Sequence, residues 1–258
     1  MYQVDAFTDK LFSGNPAAVV ILESLLPDDV MQSIAAENNL SETAFVSINE
    51  SPISIRWFTP SVEMDLCGHA TLASARILFD YYPDLARKEI NLNSKSGVLK
   101  ITQVDSGLCL NFPSDQPAAI ESDPLFFEIL GIQPSILLRG KDDYLAVFEN
   151  QKQIENMQPN FSLLKRIDAR GLVISSPGDE VDFVSRCFYP EAGIEEDPVT
   201  GSAHTMLTPY WANQLNKEEL EAHQLSKRGG RLNCRLANNR VYISGSSVIF
   251  FEGTISIL

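Results

Sequence analysis

Two glycines, Gly68 and Gly201, each stand directly before a stretch with helical periodicity. A glycine there lets a ligand approach the backbone, where the N–H groups of the first helical turn and the helix dipole attract an anion. The side chains of His69, Thr200 and Ser202 add hydrogen-bond donors. One such loop is better explained by His69 or Ser202 capping its helix. Two loops in matching positions predict a site for a carboxylate or another small anion.

Two acidic residues near these loops are candidates for proton transfer. Glu42 lies between a helix end and the apolar residues 44–46. A carboxyl group partly buried at a cleft has a raised pKa and can take up and release protons. Asp197 precedes Gly201, and Pro198 restricts it to an extended conformation. The pattern alone leaves two alternatives open: Glu42 as a turn residue, and Asp197 as an anion that only holds its loop.

Cys67 is the third candidate, because a Cys-Gly pair at a helix start favours a lowered thiol pKa. A racemase with two thiols would need a second cysteine in the other half of the chain, where Thr200 stands instead. Cys67 is therefore predicted to be a small buried residue. The other cysteines, Cys109, Cys187 and Cys234, lie in β runs and are expected in the core. Their wide spacing excludes a zinc ribbon and disfavours a disulfide framework.

The two halves of the chain resemble each other. Residues 56–60 (RWFTP) are echoed by residues 186–190 (RCFYP), and residues 68–72 (GHATL) by residues 201–205 (GSAHT). Each half is predicted to run as strand, acidic loop, glycine and helix. The shared R-x-F-x-P and G-x-A patterns favour an internal duplication. Two similar domains facing each other would place two helix N-termini at one cleft.

The elements that must position these residues are mostly short strands with a few helices. Helices are predicted from about residue 27 into the thirties, and at 70–79, 124–130, 161–167 and 202–215. Strands are predicted at 2–7, 17–22, 43–48, 53–58, 89–92, 98–104, 108–112, 135–139, 144–147, 171–175 and 182–188, with several more from 224 to 257. Ser106-Gly107 indicates a hairpin. The proline-rich residues 113–124 are the best candidate domain boundary.

Composition excludes several classes of function. The 258 residues carry 34 Asp+Glu against 20 Lys+Arg, a net charge of −14, whereas nucleic acids and anionic membranes require clusters of basic residues. No apolar run is long enough to span a bilayer, and residues 1–10 lack the pattern of a secretory signal. No dinucleotide or P-loop motif is present. A reduced cytoplasmic protein is expected, without nucleic-acid or membrane partners.

Several motifs together resemble the PhzF-like family, phenazine-biosynthesis-type isomerases that are structurally related to diaminopimelate epimerase. The resemblance covers nearly the whole chain, in order and with compatible spacing. Its motifs are residues 7–8 (FT) with 14–19 (GNPAAV), 41–45 (SETAF), 56–60 (RWFTP) with 63–71 (EMDLCGHAT), and 196–203 (EDPVTGSA).

The resemblance implies two pseudo-symmetric α/β domains, each a β-barrel-like sheet around a central helix, with the active site between them. The central helices are those after Gly68 and Gly201. The final strand is expected to return to the first domain, which gives domains 1–112 plus 247–258 and 113–246. Family members are commonly homodimers and use no cofactor or metal. The expected function is therefore a cytoplasmic biosynthetic isomerase that binds a small carboxylate-bearing substrate.

The resemblance also assigns roles to residues. Glu42 corresponds to the catalytic glutamate, which takes a proton from an activated carbon and returns it elsewhere on the substrate. His69 and Asp197 would assist the proton movement. The expected substrate-binding residues are Asn15, Gly68, Thr200, Gly201 and Ser202. Two alternatives remain at this stage: an amino-acid epimerase or racemase that uses Cys67 with another base, and a catalytically inactive interaction protein of the same fold.

Overall fold

The computed structural model describes residues 1–121, 123–190 and 193–256. It divides into two compact units, one of Met1–Asn111 with Ser244–Leu258 and one of Phe112–Ile243. The assignment of 1–112 plus 247–258 and of 113–246 as domains stays a prediction. Among the described residues, no helix is both long and apolar enough to cross a membrane.

The first part of the chain contains eight strands and two helices. They are β1 (Tyr2–Ala6), β2 (Asn15–Leu22), α1 (Asp28–Asn38), β3 (Glu42–Ser47), β4 (Ile53–Phe58), β5 (Glu63–Met64), α2 (Gly68–Tyr81), β6 (Glu89–Ser94), β7 (Gly97–Val104) and β8 (Gly107–Pro113). The predicted hairpin is present: β7 and β8 pair with Val104 opposite Gly107, whose φ of 119° suits glycine.

The second part runs from β9 to β17, and the last strand follows it. The elements are β9 (Ala118–Ala119), α3 (Pro124–Leu130), β10 (Ile136–Arg139), β11 (Asp143–Val147), α4 (Gln151–Glu155), α5 (Phe161–Leu164), β12 (Gly171–Pro177), β13 (Phe183–Tyr189), β14 (Ile194–Asp197), α6 (His204–Leu215), β15 (Glu219–Gln224), β16 (Gly230–Ala237), β17 (Arg240–Gly245) and β18 (Ser247–Glu252). Strand β18 pairs with β1 of the first unit.

The strand pairings repeat between the units. In the first unit β1–β2 is antiparallel, β2–β3 parallel, β3–β4 antiparallel, β4–β6 parallel and β6–β7 antiparallel. The second unit has the same sequence of pairings in β10–β11, β11–β12, β12–β13, β13–β15 and β15–β16. An identical order of parallel and antiparallel ladders confirms the duplicated mixed α/β fold that the motifs predicted.

Helix α2 is the central helix of the first unit. Eleven of its fourteen residues are buried, and it packs against β1, β2, β3 and β18. A helix made mostly of small and apolar residues suits such a buried position. Its small residues Ala70, Ala73, Ser74 and Ala75 let the strands approach the helix backbone closely.

Helix α6 is the corresponding helix of the second unit, and it packs against β15 and β16. It contains Pro209, which has no N–H to bond the carbonyl of Thr205. The N–H of Asp115 donates to that carbonyl instead, at 3.0 Å. The helix can therefore accommodate a proline that sequence rules would place at its end.

Several elements differ from the sequence-based expectation: the short strands β5, β9 and β14 were not predicted, and α5 ends at Leu164 rather than at 167. The last group of strands begins with β15 at Glu219, not near 224, because its acidic residues alternate with the buried Leu220, Ala222 and Gln224. The short helix α4 was not predicted. It begins at a capping box in which the Asn150 and Gln153 side chains each bond the other residue's N–H.

Candidate functional site

Glu42 and His69 are in direct contact in the first unit. The Glu42 carboxylate Oε2 lies 3.3 Å from His69 Nε2, and the two side chains are 12% and 6% exposed. Glu42 opens β3 after α1 has ended at Asn39, whose left-handed conformation (φ 50°) turns the chain out of the helix. His69 is the second residue of α2. Both side chains therefore project from fixed ends of regular elements.

The other side of the imidazole faces Asn15 and Cys67. Asn15 Nδ2 lies 3.2 Å from His69 Nδ1, and Cys67 Sγ lies 3.6 Å from it. An amide nitrogen only donates, so Nδ1 is the acceptor and the ring proton is on Nε2, facing Glu42. Burial lowers the pKa of His69 to about 3, because the interior disfavours the charged ring. His69 is therefore neutral, and its Nε2 faces the carboxylate at 3.3 Å.

The sheet register brings Asn15 to this place. Strands β2 and β3 are parallel, with Ala17 opposite Glu42, so the first residues of both strands lie at the same edge of the sheet. The N-terminus of α2 packs at the same edge through the contact of Asn15 with His69. The structure thus brings together three of the predicted site residues (Asn15, Glu42 and His69) and places Cys67 beside them, buried as predicted.

In the second unit a buried glutamine holds Asp197 and Thr200. The Thr200 hydroxyl donates to the Asp197 carboxylate. Gln224 Oε1 accepts from the Thr200 N–H at 2.8 Å, and its Nε2 donates to the Asp197 carbonyl at 2.7 Å. Gln224 is fully buried at the end of β15. Sequence reasoning missed Gln224; the signal available was a polar residue on the buried face of an alternating strand.

Arg170 fixes Ser202, and sequence reasoning missed this residue too. Its Nη2 donates to Ser202 Oγ at 3.3 Å, while its Nε donates to Asp143 Oδ1 at 2.9 Å. The guanidinium also lies over the Tyr189 ring, 5.2 Å from its centroid. An arginine has no acceptor, so Ser202 accepts here and its own hydroxyl proton is left to bond another acceptor. No sequence motif links residues 143, 170 and 202.

The helix starts differ in detail between the two loops. Helix α2 begins at Gly68 and its capping residue is Cys67, whereas α6 begins at His204 after a turn and is capped by Ala203. Neither capping residue uses its side chain for the cap. The simple interpretation, that His69 and Ser202 serve only as helix caps, is therefore wrong.

Glu42 has no acidic counterpart in the second unit. The position in the second unit that is equivalent to Glu42 is Gly171. Thr43 pairs with Phe58 in the first unit and Leu172 pairs with Phe188 in the second, so the residues before Thr43 and Leu172 correspond to each other. A Cβ on Gly171 would lie 2.2 Å from the Tyr189 ring, so that ring occupies the space of a side chain. Thr200 likewise stands where the first unit has Cys67. The duplication therefore repeats the fold but does not repeat the Glu42 carboxylate at the equivalent position of the second unit.

Among the described residues, Glu42, Cys67 and His69 also form a group that could hold a metal ion, with one ligand atom from each lying within 4.8 Å of the others. The remaining cysteines are thiols rather than disulfide partners. Cys187 and Cys234 are buried as expected, whereas Cys109 on β8 is only partly buried, because β8 has one face toward solvent.

Comparison with known proteins identifies relatives over the full length. Residues 4–253 match the sequence model of the family described as phenazine biosynthesis-like protein. An isomerase of Halalkalibacterium halodurans is 47% identical over 96% of this chain and 95% of its own. An isomerase of Pseudomonas aeruginosa is 46% identical over 99% of this chain and 98% of its own. Both of these relatives are described as uncharacterized.

Comparison with solved structures also identifies proteins of this family. A PhzF-family protein of Enterococcus faecalis matches with a TM-score of 0.96 and 45% identity, over 99% of this chain and 98% of that one. A predicted epimerase of Pseudomonas aeruginosa, 19% identical, matches with a TM-score of 0.76 over 100% of this chain and 99% of that one. The second match is a likeness of fold alone.

Proposed function

This chain belongs to the phenazine biosynthesis-like family and is an isomerase, and we propose that it moves a proton within a small carboxylate-bearing metabolite without a cofactor. In this proposal Glu42 is the general acid and base, and the substrate lies in a cleft between the two units. The observation that carries the proposal is the buried contact between Glu42 and the neutral imidazole of His69.

The role assigned to Glu42 requires a carboxylate that is fixed in position but whose negative charge is not compensated by a neighbouring cation. A protonated histidine beside Glu42 would stabilise the carboxylate anion and weaken it as a base. The neutral His69 ring contacts Glu42 through Nε2, which restricts the carboxylate without adding a positive charge. Asn15 supports this arrangement by holding Nδ1. Glu42 takes a proton from an activated carbon and returns it to another carbon of the same molecule.

The second unit is assigned to substrate binding and to stabilising charge. Backbone N–H groups at Gly68 and Gly201 suit a substrate carboxylate and the enolate-like charge that develops when the proton leaves. Ser202 can donate its hydroxyl proton to the same group, because Arg170 already occupies its acceptor side. Asp197 and Thr200 complete the binding site, with Asp197 assisting the movement of the proton.

The absence of a second base at the positions equivalent to Glu42 and Cys67 favours an isomerase over a racemase. A two-base racemase requires proton-accepting groups on both faces of the carbon. The positions in the second unit that correspond to Glu42 and Cys67 are Gly171 and Thr200, and the Thr200 hydroxyl already donates to Asp197. A single carboxylate that removes and returns the proton is sufficient for an isomerase.

The test is a screen of small carboxylates in deuterated solvent, with mass spectrometry of substrate and product. Wild type is expected to incorporate solvent deuterium into its substrate. Glu42→Gln keeps the size of the side chain but removes the base, and the rate should fall by about two orders of magnitude or more. Glu37→Gln, the same change on the exposed face of α1, is the matched control. Equal deuterium incorporation by wild type and Glu42→Gln would refute the assignment.

Cys67→Ser separates this proposal from the epimerase alternative. If Cys67 were a base, its replacement by a hydroxyl of much higher pKa would abolish turnover. If Glu42 is the only base, Cys67→Ser keeps most of the activity. The inactive-protein alternative predicts no deuterium incorporation into any metabolite that binds.

We also propose that the protein is a cytoplasmic homodimer with a biosynthetic role. Support for the dimer comes from apolar side chains exposed in the first unit. Phe12 is 69% exposed and Phe250 46% exposed, and their rings contact each other at 5.8 Å. Phe251, the next residue on β18, is also exposed. Contiguous exposed apolar side chains are typical of protein–protein contacts.

A further inference from the structure

The contacts of His69 bring together three kinds of metal ligand. Glu42 offers a carboxylate oxygen, Cys67 a thiol sulfur and His69 an imidazole nitrogen, the donor types that zinc sites use. Glu42 Oε2 is 3.3 Å from Nε2, and Cys67 Sγ is 3.6 Å from Nδ1. One ligand atom of each residue lies within 4.8 Å of the other two. The proton-transfer function uses Glu42 and His69 but gives Cys67 no task.

The distances between these candidate ligand atoms are close to those around a tetrahedrally coordinated ion. With bonds of about 2.0–2.3 Å, ligand atoms around zinc stand roughly 3.3–3.8 Å apart. An imidazole gives only one nitrogen to an ion, whereas Cys67 and Glu42 face different nitrogens of the ring. Closing the site on Nδ1, the nitrogen that Cys67 faces, therefore requires a movement of the Glu42 carboxylate toward that nitrogen, in place of the Asn15 amide that contacts it. Glu42 can supply it, because it has three rotatable bonds and some exposure to solvent.

The charges also balance. A divalent cation with the Glu42 carboxylate and a Cys67 thiolate carries no net charge, and His69 is neutral. Burying a neutral cluster avoids the large cost of burying an uncompensated charge. On coordination the sulfur bonds to the ion and its proton leaves to solvent.

We propose that Glu42, Cys67 and His69 bind a thiophilic divalent cation, with Zn²⁺ as the preferred ion, and that the bound ion inhibits the enzyme by occupying Glu42. The ion is an inhibitor rather than a resident cofactor. Sulfur and nitrogen donors favour Zn²⁺ and Co²⁺ over Mg²⁺ and Ca²⁺, which require oxygen ligands. The binding step stands apart from the proposed isomerase activity; only the inhibition depends on it.

Cobalt titration tests the binding without any substrate. Co²⁺ added to the metal-free protein should produce a thiolate-to-cobalt charge-transfer band in the near ultraviolet, and Zn²⁺ should remove it, while Mg²⁺ should not. Cys67→Ser should abolish the band. Cys109→Ser, the same change at a partly buried cysteine of β8, should keep it. No band with wild type, or an unchanged band with Cys67→Ser, would overturn the site.

Glu42→Gln provides a second variant in case Cys67→Ser does not fold. It should weaken Co²⁺ binding by about tenfold or more, since the loss of even an outer-shell partner has that effect. Unchanged affinity would remove Glu42 from the site and with it the inhibition. Circular dichroism melting of each variant checks that it is folded. A cobalt band in a protein without isomerase activity would keep the metal site and reject the proposed function.

Discussion

The imidazole rings of His69 and His204 are neutral, because both rings are buried. His69 lies 3.3 Å from the Glu42 carboxylate through Nε2 and accepts from Asn15 through Nδ1. His204 is fully buried in α6, where its Nδ1 bonds the Thr200 carbonyl at 2.8 Å. Among the described residues, His204 Nε2 has no hydrogen-bond partner. Burial lowers the pKa of His204 to about 4, because a proton on Nε2 would place an unpaired charge in the interior.

These two histidines predict a loss of stability in mild acid. The unfolded chain binds protons at a pKa near 6.5, whereas the folded pKa values are about 3 and about 4. Stability is therefore complete above pH 6.5 and declines as the pH falls toward those values. Between pH 6.5 and 5.5 the free energy of unfolding should fall by about 1 kcal/mol per histidine. Urea unfolding at both pH values measures it.

His204→Gln is the control for this pH dependence. The variant has lost one titrating group, so its unfolding free energy should change by about 1 kcal/mol less than that of wild type between the two pH values. If the unfolding free energies of both proteins fall by the same amount, the acid sensitivity comes from groups other than His204.

At the scale of elements, strand β15 contributes Gln224, a residue of the candidate site that no sequence motif indicated. Residues 41–43 and 196–203 could be recognised because their motifs are local. The partners that hold them are remote in sequence: Gln224 bonds Thr200 across 24 residues, and Arg170 bonds Ser202 across 32. Strand pairing creates these contacts, and no spacing rule encodes them. Sequence patterns thus indicated the candidate site residues but not the residues that hold them in place.

Replacing Gln224 should destabilise the loop that it holds. Gln224→Leu keeps the volume but leaves the Thr200 N–H and the Asp197 carbonyl buried without this bond. Each lost partner of a buried polar group costs about 1–3 kcal/mol, so unfolding should require about 2–4 kcal/mol less. Gln103→Leu, the same change at an exposed position of β7, should remain within about 0.5 kcal/mol of wild type. Equal effects of the two changes in urea unfolding would contradict a role for the buried amide.

At the scale of the molecule, the two units retain one scaffold and have diverged at the site. Arg56 bonds Glu63 with two nitrogens, both at 2.7 Å, and Arg186 bonds Glu196 in the same way at 2.7 and 3.0 Å. These pairs explain why the R-x-F-x-P repeat was visible in the sequence. The replacement of Glu42 by Gly171 was not visible, because only the strand register makes those positions equivalent. Repeated motifs therefore predicted the fold and the replacement of Cys67 by Thr200, while the replacement of Glu42 by Gly171 required the structure.

The last prediction concerns the apolar surface of Phe12, Phe250 and Phe251. If it is the contact between two copies, Phe250→Arg places a charge in the interface without disturbing the interior of the unit, because the ring is exposed. Leaving a charge without a partner in an interface costs several kcal/mol, enough to raise the dimer dissociation constant by about a hundredfold or more. Light scattering with size-exclusion chromatography should then give a monomer of 28.6 kDa. Phe127→Arg, on α3 and 50% exposed, should leave the mass of the assembly unchanged. A monomeric wild type, or a dimer that survives Phe250→Arg, would reject this surface as the contact.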